Sequence, residues 1–146
     1  MSSLELHREK QFAAEAVKEL GEAVGRMTAL MRSESADVFE ICRRAFDRQT
    51  SLDMRGFKSI ERGDFPKQWY DACYVLDVDD EAKKLFEEIG SFLGSYDLES
   101  QIHRLERIHH ELSERARAMR EKADSTRRLY TTLGAALGLT ITIIIL

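Results

Sequence analysis

The sequence predicts an all-α protein, an antiparallel helical bundle of about five to six helices followed by a C-terminal transmembrane helix. Three observations predict it. Before residue 129, apolar residues recur at spacings of three and four rather than two, the period of a helix with one buried face. The composition, 33% charged and 43% hydrophobic with one proline and eight glycines, is that of an ordered chain with few helix breakers. The last 18 positions, Leu129 to Leu146, carry no charge at all. The chain therefore divides into a bundle domain over 1–128 and a membrane helix over 129–146.

The first helix is drawn by Ala13, Val17, Leu20, Val24, Met27 and Met31, whose alternating steps of four and three make a single stripe. Ser35 and Asp37 offer a cap and N-terminal charge for a second helix, on which Val38, Ile41, Cys42 and Ala45 share a face. The stretch QTSLDMRGFKSIERGD has two glycines and a poor stripe, so it reads as a connection plus a short helix. Asp64-Phe65-Pro66 is a helix entry, since proline is tolerated where the amide has no intrahelical acceptor, and Trp69, Ala72, Cys73 and Leu76 then fall on one side. Asp77, Asp79, Asp80 and Glu81 crowd the start of the next helix, whose buried face is Ala82, Leu85, Phe86, Ile89, Phe92 and Leu93 and which stops near Gly94. From Asp97 a last long helix keeps a heptad-like stripe through Leu98, Ile102, Leu105, His109, Leu112, Ala116, Met119 and Ala123. No glycine or proline interrupts it between Gly94 and Gly134. Narrow stripes at both ends of the chain call for two long helices packed on each other, with the shorter ones between. The pairs Gly21/Gly25 and Gly90/Gly94 permit close helix crossings or, for Gly94, a helix end.

As a helix, the 18-residue tail is about 27 Å long, close to the ~30 Å hydrocarbon layer of a bilayer. Nine of its residues are leucine or isoleucine, which together favour insertion by about 3 to 5 kcal/mol. Arg127 and Arg128 stand at its near end and Tyr130 at headgroup depth. Arg115, Arg117, Arg120, Lys122, Arg127 and Arg128 outnumber Glu121 and Asp124 just before it, so the positive-inside rule places the bundle on the cytoplasmic side, in a tail-anchored topology with no domain beyond the membrane. Gly134 and Gly138 form a GxxxG, a flat surface for a membrane-helix contact that admits a homo-oligomer. The opening MSSLELHREKQF has no apolar stretch of signal-peptide kind.

Several functions are disfavoured. A net charge of −4 gives no global positive field for nucleic acid. Cys42 and Cys73 lie 31 residues apart among apolar neighbours, without CxxC or Cys/His spacing, and read as buried reduced thiols. Glu106-x-x-His109 is half of a di-metal motif that lacks its second copy, so His109 reads as a filler of the heptad stripe. His110-Glu111-x-x-Glu114 lacks the second histidine of a zinc helix, and no phosphate loop or nucleophile elbow is present. The expectation is a non-enzymatic scaffold or interaction protein with no cofactor, no metal and no small-molecule substrate. A tail-anchored helical adaptor or coiled-coil dimer unrelated to sporulation is the alternative to the reading that follows.

The block LGSYDLESQIHRL (Leu93 to Leu105), preceded by QWYDAC with Trp69 and followed by RRLYTTLGAALGL, resembles the stage III sporulation protein AB family of spore-forming bacteria. LGxxD, the glutamine four residues after that aspartate, and RLYxxLG come in the family's order and spacing, and MRSESADVFEICRRAF is more weakly similar in register. Gly94, Asp97 and Gln101 match the family block, as do Arg128, Leu129, Tyr130, Leu133 and Gly134. The resemblance implies a mother-cell membrane protein of the assembly linking mother cell and forespore during engulfment, which supports late forespore gene expression. It also implies a cytoplasmic part similar to the helical domain of type II secretion and type IV pilus inner-membrane platform proteins. The partners implied are other stage III sporulation proteins, including a cytoplasmic secretion-type ATPase. Asp97 is expected to cap the last helix. In one respect the chain departs from the family: members usually begin with their own membrane span, whereas this chain opens on polar MSSLELHREK.

Overall fold

Two long helices carry the bundle. In the computed structural model, α1 (Ser3–Ser33) and α6 (Leu98–Ile145) run antiparallel, with α2 (Val38–Ala45), α3 (Arg55–Lys58), α4 (Phe65–Tyr74) and α5 (Asp80–Phe92) between them in the chain. The structure describes residues 2–145 except 35, 36, 49 and 96, and their side chains except those of residues 3, 126, 130 and 136–145. Among the described residues there is no strand, and the all-α class predicted above holds. Ser35, one of the two expected caps of α2, lies outside the described residues.

The helices start where carboxylates and hydroxyls can take up free amides. Ser2 and Glu5 form a reciprocal capping box at α1. Asp37, Asp64, Asp79 and Asp97 accept from the amides of Glu40, Lys67, Ala82 and Ser100. Each such cap contributes about 1 kcal/mol. Pro66 sits in the first turn of α4, where it removes no needed donor.

α1 and α6 make the most extensive contact in the fold, and three links fix its antiparallel sense. His7 Nδ1 lies 3.2 Å from the Ala123 carbonyl, His109 Nδ1 lies 2.7 Å from the Gly21 carbonyl, and Arg32 pairs with Glu106. A carbonyl only accepts, so both imidazoles donate from Nδ1. The expected close crossing is real: a Cβ on Gly25 would stand 3.2 Å from His109 Cε1, and one on Gly21 would stand 3.5 Å from Leu112 Cβ. Between these links, Val17, Leu20, Val24 and Met27 of α1 meet Leu105, Ile108, Leu112 and Ala116 of α6 in the core.

The short helices close over one end of this pair. Phe46, Phe57, Trp69 and Phe86 make edge-to-face and stacked contacts at 4.6 to 6.2 Å between centroids. Trp69 is fully buried and donates Nε1–H to the Phe86 carbonyl at 2.9 Å. A Cβ on Gly90 would lie 2.8 Å from Trp69 Cδ1, so only glycine lets α5 come this near α4. Both cysteines are buried here, and burial pushes each thiol up to about 12.

Among the described residues no helix is long and apolar enough to cross a membrane. The transmembrane segment expected over 129–146 falls largely outside them, since no side chain beyond Ala135 is described, and Leu146 not at all.

Candidate functional site

The residues singled out in the sequence separate into a turn and a stalk. The turn joins α5 to α6. Gly94 has φ +85°, the left-handed region open to glycine, and a Cβ there would also meet Val38 Cγ1 at 3.1 Å. Its amide donates to Gln101 Oε1 at 2.7 Å, and Gln101 is buried on the first full turns of α6. Asp97 caps α6, as expected, and its bonds to Ser100 hold its carboxyl below the usual carboxylate range. Gly94, Asp97 and Gln101 thus cooperate to turn the chain back, and Trp69 with Gly90 holds the helix that enters the turn. These five positions build the fold.

The stalk is the free end of α6. Ala123 is the last buried residue among those described on α6, held beside His7, and every described side chain from Asp124 to Ala135 is exposed. The helix continues without a break, so residues 124–128 set the apolar run about 9 Å beyond the packed bundle. Leu129 and Leu133 are 58% and 50% exposed, large apolar side chains outside the buried core of the described residues. A Cβ added to Gly134 would meet nothing within 4 Å. The Tyr130 side chain and the other half of the GxxxG, Gly138, lie outside the described side chains.

The basic residues expected beside the membrane divide the same way. Arg115 stands about two turns before Ala123 and reaches back to α5, donating its Nη2 to Asp79 Oδ1 at 2.7 Å, with Glu81 nearby. The guanidinium holds the Asp79 carboxyl below its ordinary range, and Asp79 in turn raises Arg115. Arg117 pairs with Glu114 at 2.6 Å. Arg115 thus ties α6 to the bundle flank and Arg117 pairs within α6 itself, whereas Arg120, Lys122, Arg127 and Arg128 lie on the exposed side of α6 before and along the stalk. Sequence reasoning missed the pairing of Arg115 with Asp79, because nothing along the chain links positions 36 apart.

The weakest chemical motifs are absorbed by packing. His109 donates to Gly21, and Glu106 pairs with Arg32. Among the described residues no group of three His, Cys, Asp or Glu side chains is placed to hold a metal ion. Two grooves of about 710 and 650 Å³ flank Phe12 of α1, a residue the periodicity analysis passed over.

No curated protein and no solved structure matches the chain. A family model does match, over residues 16–146, which takes in the aromatic cluster, the turn, the stalk and the apolar tail. The chain belongs to the stage III sporulation protein AB family.

Proposed function

We propose that this protein is a membrane-anchored, non-catalytic platform subunit of the stage III sporulation assembly linking mother cell and forespore. Membership in the family implies a role in stage III of sporulation, which an adaptor unrelated to sporulation would not fit. The anchor, the platform and the partners go further. In this reading residues 129–146 cross the mother-cell membrane, the bundle faces the cytoplasm, and its surface docks other stage III proteins, including a secretion-type ATPase.

The observation that carries the reading is the unbroken passage of α6 from a packed face ending at Ala123 into a bare, increasingly apolar stalk. The exposed leucines at 129 and 133 open a run of 18 uncharged residues, and a helix entering lipid needs apolar residues on every side. Arg127 and Arg128, exposed on the last turns before that run, sit where phosphate headgroups would lie. Because α6 is continuous, the anchor and the bundle form one rigid lever, and the bundle's end stands within about 9 Å of the apolar segment.

Affinity isolation of the full-length protein from sporulating cells after gentle solubilisation tests the platform role. The expected result is co-recovery of sibling stage III proteins, the ATPase among them. Recovery of the chain with no other sporulation protein contradicts it.

A further inference from the structure

Phe12 projects from α1 at 68% exposure, the most exposed phenylalanine of the bundle, and the grooves on its two sides carry opposite charge. On the α6 side the groove is lined by Lys18, Arg117 and Arg120 together with Glu15 and Glu22; Lys18 pairs with Glu22 and Arg117 with Glu114, and with Arg8 and Arg120 the lining is net positive. On the other side, against the loops before α3 and α5, the rim is Glu9, Asp53 and Asp77. Arg120 and Asp77 have no ion-pair partner among the described residues, and Arg8 lies on the ridge beside Phe12, shared by both grooves. A surface with an apolar ridge, one positive flank and one negative flank is complementary to itself under a particular operation. Rotation by half a turn about an axis along α1 lays each basic groove on the partner's acidic groove, whereas an in-plane axis across α1 would set like charges together.

We propose that two copies of this chain associate through this face, about a two-fold axis running along α1, with the two Phe12 rings meeting at the axis. The axis direction is selected a second time by the membrane anchor, a point that rests on the function proposed above. Because α6 is antiparallel to α1, a two-fold along α1 points both stalks the same way, into one bilayer. It also keeps Arg120 of one copy level with Asp77 of the other, since His7 opposite Ala123 places Arg120 near the height of Phe12. Residues 8–12 precede the span that the family model matches, so the ridge is a feature of this chain beyond that match.

The test is the mass of the full-length protein in detergent, by sedimentation as a function of concentration. The proposal expects two copies, with Phe12→Ser, Arg120→Asp and Asp77→Arg each weakening association about tenfold or more. It expects the combined Arg120→Asp/Asp77→Arg variant to regain association, which a folding defect would not allow. A single-copy mass at every concentration, a pair indifferent to all three substitutions, or a double reversal no better than either single one overturns it. So does a single copy whose mass grows only on addition of another sporulation protein. Whether the chain needs detergent at all is read separately and bears on the anchor alone.

Discussion

The two halves of α6 behave as different materials. From Ile102 to Ala123 one face is sealed against α1, with Leu105, Ile108 and Leu112 fully buried. From Asp124 to Ala135 every described side chain of the same helix is exposed. A helix of isolated character is marginal in water, so the first half is held by tertiary packing and the second must find its stabilising environment outside the chain. The residues that carry the resemblance straddle this divide. Trp69, Gly94, Asp97 and Gln101 serve the folded half, whereas Leu129 and Leu133 are exposed beyond it and a Cβ on Gly134 would meet nothing within 4 Å. That separation predicts that the bundle and the proposed anchor are independent in energy although continuous in backbone.

Substitutions should therefore sort by half. The largest effect is expected from Trp69→Ala, which empties the centre of the aromatic cluster and removes a buried hydrogen bond. It should cost about 3 to 5 kcal/mol in denaturant unfolding of the bundle and leave membrane partition unchanged. Gly90→Ala should follow at about 1 to 3 kcal/mol, because its Cβ would stand 2.8 Å from Trp69 Cδ1 with no flexible neighbour to yield. Leu139→Arg is the mirror experiment, costing about 2.5 to 3.5 kcal/mol of insertion while shifting bundle stability by no more than ~0.5 kcal/mol. If unfolding of the bundle moved with Leu139→Arg, the two halves would not be independent.

Smaller effects sharpen the picture of the folded half. Asp79 has its carboxyl lowered by Arg115, so the pair stabilises the fold above the ordinary carboxylate value of ~3.9 and loses that contribution as pH falls through the lower folded value. Arg115→Gln should cost about 1 kcal/mol near neutrality, and the difference from the parent should shrink as pH falls below the ordinary carboxylate range. Thermal unfolding across that range checks it. Cys42 and Cys73, with thiols pushed up to about 12 by burial, should resist alkylation at neutral pH and both react in denaturant.

Much of the bundle was legible along the chain because long helices repeat their signal. The α1 stripe from Val17 to Met31 is buried as the steps of four and three require, and the capping roles of Asp37, Asp64 and Asp97 follow from their place before apolar runs. Leu98, at the head of the α6 stripe, is instead 47% exposed, because it lies in the first turn before the helix meets α1. Phe46 and Phe57 could not be placed, since they flank irregular segments whose packing is decided by Trp69 and Phe86 from other helices. Gln101 was recognisable as a family position, but its bond to Gly94 depends on the turn geometry. Phe12 and its grooves escaped because periodicity finds the face a helix buries and is blind to what the opposite face offers a partner.

The account turns on where the end of α6 resides. Alkaline carbonate extraction of membranes carrying the full-length protein, followed by protease treatment of the intact vesicles, measures it directly. The account predicts that the chain stays in the membrane pellet and that protease added on the cytoplasmic side removes the bundle while sparing a fragment of the tail. A chain released into the supernatant, with its C-terminus as accessible as its bundle, would contradict it.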